Sequence, residues 1–423
     1  MASRKAAAEL LTTVLEKRRT LDDALMEVET YVALQGSDRG FARAMASAAL
    51  RQLGRINLAL GPVLDRPLET APPNVRSLLQ IGAAQIWLME TPVHAAVGET
   101  VEVAKQWLQP RKAAGFLNAV LRKLPAAKDR FDGLPAEAIW PDWFKQTLRA
   151  HLSADTVTEL AQMQMEVPQL HFTAKTGDGS ALARMLDADW LTGPSVACSA
   201  SDVSTLPSYQ IGDWWVQDAA AALPAQLLGG APGQTVVDLC AAPGGKTLQL
   251  AAMGAHVLAV DRSKARLKRV EENLARTGLS ANVTLTAARG EDWSPTDSVD
   301  AVLVDAPCSA LGTLRRHPEG PWIKRPDEIA GYPEVQMRLL RAGLDMVKPG
   351  GRVVYCVCSP LRQEGADVVE SILKKGAIVR DPIKATEVKG FESAVTETGD
   401  IVTLPGNGFA HDAFYVARLR KIA

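Results

Sequence analysis

The 423-residue chain predicts a multidomain protein: an all-α domain over 1–128, a small α+β insert over 138–210 and a doubly wound α/β domain over 211–423. Three observations predict it. Apolar residues recur at three and four spacing through roughly the first 125 residues, without strand-like alternation. From about residue 211 short apolar strands alternate with helices of ten or more residues, the pattern of a largely parallel sheet. Between these regions, Leu124 to Pro135 is rich in Ala, Lys, Asp, Gly and Pro, the composition of a linker.

The chain opens with an amphipathic helix in which Leu10, Leu11, Val14 and Leu15 alternate with Glu9, Glu16, Lys17, Arg18 and Arg19. That charged spacing excludes a secretory signal. Phe41, Met45, Ala48, Ala49, Leu53, Ile56 and Leu60 form a second helical run, opened by Asp38; Val75, Leu78, Leu79, Ile81, Ile86 and Leu88 form a third, closed by Thr91-Pro92. The insert predicts one helix from Trp143 to Leu160, then short strands separated by Gly and Asp turns.

The α/β domain predicts strands at Val236–Leu239, Val257–Val260, Val283–Leu285, Ala301–Val304 and Arg352–Cys356. Helices follow Lys246 and span Lys264–Ala275, about Glu334–Met346 and Ala366–Leu373, and Phe414–Leu419 reads as a last edge strand.

Hydrophobic residues at 47% and charged residues at 22% exclude a disordered or low-complexity chain. No apolar run reaches the roughly 18 residues of a bilayer span, so no membrane partner is expected and the expected location is cytoplasmic. The five cysteines are Cys198, Cys240, Cys308, Cys356 and Cys358, an odd set confined to one half of a long chain, which predicts reduced thiols. Nothing supplies two further ligands beside Cys356 and Cys358, so no metal is expected. Net charge is −1, but about +5 over residues 1–130 and about −6 over the rest. Positive patches therefore fit a near-neutral protein.

Asp238-Leu239-Cys240-Ala241-Ala242-Pro243-Gly244-Gly245-Lys246-Thr247 ends the first strand of the α/β domain, where open sheets bind ligands. The dinucleotide pattern Gly-x-Gly-x-x-Gly is absent. A phosphate-binding loop ending in Gly-Lys-Thr needs a further glycine where Cys240 stands. The reading left is an S-adenosylmethionine turn, supported by Asp261 closing the second strand, where an acid accepts from ribose hydroxyls. Asp292, after the third strand, is placed for an adenine amino group.

Two thiols stand at strand ends: Cys308 in Asp305-Ala306-Pro307-Cys308-Ser309, and Cys358 in Tyr355-Cys356-Val357-Cys358-Ser359-Pro360. A thiolate that adds to C6 of a cytosine makes C5 nucleophilic enough to take a sulfonium methyl. Cys358 is the candidate nucleophile, Cys308 a candidate aid to elimination, and Asp305 a candidate partner for the N3 and amino edge of the base. Arg315-Arg316-His317-Pro318 suits phosphate contacts. For Cys240 and Cys356 a role as small buried hydrophobes competes with any chemical one.

These motifs in this order resemble the Sun/Fmu class of RNA (cytosine-5) methyltransferases. Ser37-Asp38-Arg39-Gly40-Phe41-Ala42, Val93-His94-Ala95-Ala96-Val97-Gly98-Glu99 and Gly115-Phe116-Leu117-Asn118-Ala119-Val120-Leu121-Arg122 resemble a helical RNA-binding domain of the NusB type. The combination is similar to the methyltransferases of bacterial small-subunit ribosomal RNA. The resemblance implies a Rossmann-like S-adenosylmethionine-dependent methyltransferase domain and an RNA partner, 16S ribosomal RNA foremost. It implies Cys358 as nucleophile in preference to Cys356, and Cys308 for product release. It places cofactor contacts at Cys240, Ala241, Ala242, Pro243, Gly244, Gly245, Lys246, Asp261, Asp292 and Asp305. Arg266, from the basic run after Asp261, is grouped with them.

The chain departs from the family at Cys356-Val357, where Ser-Thr is usual, at Ala310, where glycine is common, at Asp412-Ala413-Phe414-Tyr415, and at His171-Phe172-Thr173. The alternatives are a transfer RNA target and a catalytically silent assembly factor. Oligomeric state is not encoded in these motifs.

Overall fold

The computed structural model describes residues 1–107, 112–200, 202–374, 376–405 and 408–422. It divides into two compact units, Met1–Glu166 with Leu314–Pro326, and Val167–Thr313 with Asp327–Ala423.

The first unit is helical. Helices Ala2–Lys17, Gly36–Arg51, Leu53–Leu60, Pro73–Trp87, Val93–Trp107 and Lys112–Lys123 carry its main apolar faces. Leu10, Leu11, Met45, Leu50, Ile56 and Leu78 lie fully inside, each contributing roughly 1.5–3 kcal/mol by leaving water. Trp87 stacks on Phe131 at 4.9 Å and donates its indole N–H to the Leu124 carbonyl at 2.9 Å.

The expected insert is split between the units. Its helical part belongs to the first unit and is two helices rather than one, Asp142–Arg149 and Ala154–Met165. The break comes where Ser153 caps the second helix, its hydroxyl accepting from the Thr156 N–H at 3.1 Å. Trp140 joins this pair through its N–H to Gln164 Oε1 at 2.7 Å.

Leu314–Pro326, distant in sequence, completes the helical core. Ile323 is buried in it, and the Arg18 guanidinium holds the Ile323 carbonyl at 2.6 and 2.8 Å. Arg315 is buried, with its carbonyl accepting from Arg51 at 2.8 Å. The Arg315 side chain is therefore not the exposed phosphate ligand that its basic run suggested. Burial first, and the charge of the neighbouring Arg315 second, lower the Arg51 guanidinium to about 10.

The second unit holds two sheets. The smaller consists of β1 (Leu170–Ala174), β2 (Asp189–Thr192), β3 (Ser195–Cys198) and β4 (Trp214–Val216), in the order β2-β3-β1-β4 and wholly antiparallel. The larger consists of β5 (Thr235–Leu239), β6 (His256–Asp261), β7 (Val283–Ala287), β8 (Val299–Asp305), β9 (Val347–Val357), β10 (Ile378–Arg380), β11 (Ile401–Thr403) and β12 (Phe414–Lys421). Its order is β10-β12-β9-β8-β5-β6-β7, with β11 also on β12. Strands β5 to β9 pair in parallel, as their alternation with helices requires.

Strand β12 is not an edge strand. It pairs antiparallel with β9 on one side and with β10 and β11 on the other. Its residues from Phe414 to Leu419 are all buried, including Arg418, which Glu387 engages at 2.7 and 3.1 Å. The two covering strands are three residues each, too short to announce themselves by alternation. Helix Tyr332–Met346 lies close on the sheet because Gly343 has no side chain; a Cβ there would stand 2.9 Å from Val304.

Candidate active site

The site is assembled at the carboxyl ends of β5, β6, β8 and β9. Strand β5 runs into a tight turn in which Cys240 has φ 63° and Gly244 φ 107°, and Gly245 opens helix Gly245–Ala252. Gly244 is required twice over, since a Cβ would also meet Val270 at 2.9 Å. The turn is tied to β6 by Ala241 N–H to the Val260 carbonyl at 3.1 Å.

Asp261 is buried at the end of β6. Its carboxylate accepts from the Ala242 N–H at 3.2 Å, the Ser263 N–H at 2.8 Å and Arg266 at 3.4 Å. Arg266 also donates to the Ala242 carbonyl. Arg266 therefore clamps the turn onto its acid. Asp292 stands apart, its carboxylate 66% exposed and paired with Arg289 at 3.3 Å.

Lys246 reaches back from the helix to Asp305, Nζ to Oδ2 at 2.7 Å, and lies 5.3 Å from the Phe414 ring. Burial opposes its charge, but the charge on Asp305, the hydrogen bond to it and the nearby Cys356 and Cys358 outweigh burial and raise the ammonium above its ordinary value. The other Asp305 oxygen accepts from the Cys356 thiol at 3.3 Å.

Register explains that contact and the next one. In the parallel pair of β8 and β9, Asp305 lies opposite Cys356, and the Ala306 N–H donates to the Cys356 carbonyl at 3.0 Å. Both chains then leave the sheet side by side. This brings Cys308 Sγ and Cys358 Sγ to 3.3 Å, with both cysteines free and partly exposed. The hydrogen bond to Cys358, burial, and the charges of Cys358 and Glu364 push the Cys308 thiol well up. Burial and Asp305 do the same to Cys356, and burial with the surrounding aspartates to Cys240.

Some participants were not among the expected site residues. Glu364 is fully buried; it takes the Ser309 N–H at 2.7 Å and both the Ser309 and Ser359 hydroxyls, at 2.5 and 2.7 Å. Its neighbours Arg362, Gln363, Gly365 and Asp367 read as a polar loop and give no sign of that burial. Asp238 is buried under the turn, bonded to the Thr247 hydroxyl at 2.6 Å, and burial pushes its carboxyl up to about 7.

This geometry can be set beside known proteins. The sequence profile of the 16S rRNA methyltransferase RsmB/F family matches residues 225–420, and that of the NusB family matches residues 1–125. Ribosomal RNA small subunit methyltransferase B of Xanthomonas campestris is 35% identical over 89% of each chain. The protein of that name from Pseudomonas syringae is 33% identical over 100% of this chain and 98% of its own.

The chain belongs to the RsmB family. As an RsmB-family protein it is an RNA methyltransferase that uses S-adenosylmethionine, built from a NusB-type helical domain and a Rossmann-like methyltransferase domain. The fold extends further than the sequence likeness. The crystal structure of PH0851 covers 99% of both chains with TM-score 0.78 at 20% identity. A methyltransferase homolog from Pyrococcus horikoshii covers 67% of this chain and 96% of its own, with TM-score 0.55 at 24% identity. The RsmB cofactor fits the residues present: a glycine turn opening a helix, with the buried acid Asp261 beside it, suits a ligand carrying a ribose and a carboxylate. Among the described residues no helix is long and apolar enough to cross a membrane.

Proposed function

We propose that this chain methylates C5 of a cytosine in 16S ribosomal RNA through a covalent adduct on Cys358. The observation that carries the reading is the 3.3 Å approach of the Cys308 and Cys358 sulfurs, on neighbouring strand ends beside the cofactor turn. One sulfur can attack C6, and the other, at contact distance, is placed to give it a proton as it leaves.

Cys358 acts as the thiolate, with the Lys246 ammonium near enough to interact with it. Its sulfur bonds to C6, and the displaced π electrons move toward N3, leaving C5 enamine-like. Asp305, paired with Lys246, meets the N3 and amino edge of the base. S-adenosylmethionine, when bound, would supply an electrophilic sulfonium methyl for C5 to take, with S-adenosylhomocysteine as the leaving group. A base then removes the C5 proton, the electron pair re-forms the C5–C6 double bond, and the Cys358 sulfur leaves C6. Cys308, which holds its proton firmly, donates to the departing sulfur. Cys240 to Lys246, with Asp261, would hold the cofactor, and the NusB-type domain would hold RNA.

The test is bisulfite sequencing of ribosomal and transfer RNA from cells with and without the protein, complemented by Cys358→Ala and Cys308→Ala. The expected result is loss of one protected cytosine in 16S ribosomal RNA, not restored by Cys358→Ala, with Cys308→Ala accumulating a protein–RNA adduct stable to denaturation. Loss confined to transfer RNA overturns the substrate. Restoration by Cys358→Ala overturns the covalent mechanism.

A further inference from the structure

The two thiol loops share one carboxylate. Glu364 Oε1 accepts from the hydroxyls of Ser309 and Ser359, which are 3.3 Å apart, and Oε2 accepts from the Ser309 N–H at 2.7 Å and from Gln336 Nε2 at 3.2 Å. Ser309 follows Cys308 and Ser359 follows Cys358, so each serine fixes the backbone of its cysteine. Gln336 also donates to the Pro307 carbonyl at 3.1 Å, holding the other side of Cys308. The Glu364 carbonyl takes the hydroxyl of Tyr355, a fully buried residue of β9. Glu364, Ser359 and Gln336 are fully buried, and Ser309 nearly so.

From this arrangement we infer that Glu364 is a positioning residue that locks Cys308 and Cys358 at contact distance and directs the proton they share onto Cys308. The inference rests on the covalent reading above for its catalytic meaning, but not for its physical content.

Two arguments support it. Four donors converge on the carboxylate and, among the described residues, no acceptor does, so only a group that accepts at both ends satisfies the cluster. An amide would turn its own NH2 toward donors, either the two hydroxyls or the Ser309 N–H and Gln336. The second argument is electrostatic. Two sulfurs in contact cannot both carry charge, so the pair loses its first proton as a unit. The negative charge of Glu364 disfavours ionisation of Cys308, whereas the Lys246 ammonium interacts with Cys358. The proton is thereby held on the sulfur that must later return it.

The experiment is alkylation by iodoacetamide as a function of pH in the full-length protein without RNA, with modification at each cysteine quantified by peptide mass spectrometry. In the native chain Cys358 should react faster than Cys308. In Glu364→Gln that preference should fall by about tenfold or more, the effect of one pKa unit, and single-turnover methylation should fall by a similar factor with cofactor affinity retained. Glu364→Asp, which restores the charge, should recover part of the preference. An unchanged preference in folded Glu364→Gln overturns the inference. Should that variant fail to fold, Ser359→Ala keeps the carboxylate while removing one tether. It should reduce single-turnover methylation yet keep Cys358 the faster thiol; unchanged turnover, or a reversed preference, overturns the inference. The covalent reading is judged separately, by methylation in Cys358→Ala; the alkylation preference requires no turnover and survives or falls on its own.

Discussion

Cys356 faces Asp305 across the parallel pair of β8 and β9 and donates its thiol to the carboxylate at 3.3 Å. The sulfur is fully buried, and burial with the nearby acid holds its proton on. Cys356 is thus a donor to Asp305 with its proton held in place, and a serine there, as is usual in the family, would play the same part. Cys356→Ser should keep methylation within a few-fold and still form adduct. Cys356→Ala removes the donor and should lower stability by about 1 kcal/mol, the net worth of one hydrogen bond to a partly exposed acid that keeps Lys246. Thermal melting and adduct gels check both.

Lys246 and Asp305 form a pair in which the lysine side chain is 10% exposed and the aspartate 29%. Removing one member of a largely buried pair leaves the other uncompensated. Lys246→Met, close to isosteric, should reduce methylation by about a hundredfold or more and destabilise the fold by up to about 3–5 kcal/mol. The pH dependence follows from the raised ammonium. A raised lysine contributes stability fully below its unfolded value of 10.5 and loses it only as pH climbs through the folded value. The Met variant should therefore be less stable than the native chain by a constant amount across pH 6 to 9 in denaturant titrations. A gap that closed within that range would place the origin elsewhere.

The period-2 and period-3.6 patterns made most of this fold legible. Helix Ala366–Leu373 and strands β5 to β9 stand where apolar spacing put them, within one or two residues at most ends and up to five at the start of β9. Pairing was less legible. Parallel strands meet through crossovers of dozens of residues, so no local pattern states that Asp305 opposes Cys356, or that β10 and β11 cover β12. The motifs located Cys308, Cys358, Lys246 and Asp261, because turn glycines and strand-end acids leave a signature. Glu364 left none: its partners are two serine hydroxyls, a backbone N–H and the Gln336 amide, groups present everywhere, and only their convergence is specific. Asp292 shows the converse, a strand-following acid whose carboxylate lies mostly in solvent.

Asp238 sits beneath the glycine turn after β5 with Oδ2 on Thr247 and, among the described residues, no partner for Oδ1. Burial lifts its carboxyl from 3.8 to about 7. The folded state then binds a proton that the unfolded chain has released, so this group lowers stability as pH rises from about 4 to 7, with a constant deficit above. Asp238→Asn, neutral throughout, should flatten that part of the profile and be more stable than the native chain at pH 8, by an amount of order a few kcal/mol. Thr247→Val removes the hydrogen bond that favours the charged form, and should move the native transition to higher pH. Urea midpoints at pH 5, 6.5 and 8 for the three proteins check the sign.

Gly312 closes the loop after Cys308. Its N–H donates to the Cys358 carbonyl at 2.9 Å, and its carbonyl accepts from the Ala413 N–H at 2.8 Å. A Cβ at this position would stand 1.9 Å from the Ala413 carbonyl oxygen and 2.9 Å from that of Cys358. Both obstacles are backbone, so relief requires one of the strand ends to shift. The constraint is lateral space rather than dihedral freedom. Gly312→Ala should therefore separate the loops of Cys308 and Cys358, lowering single-turnover methylation by about a hundredfold, the cost of roughly an ångström of misplacement. Cofactor affinity, which we propose rests on the ends of β5 and β6, should change far less. Equal losses in cofactor binding and turnover would mean that the damage spreads through the sheet, and that Gly312 serves folding instead of thiol alignment.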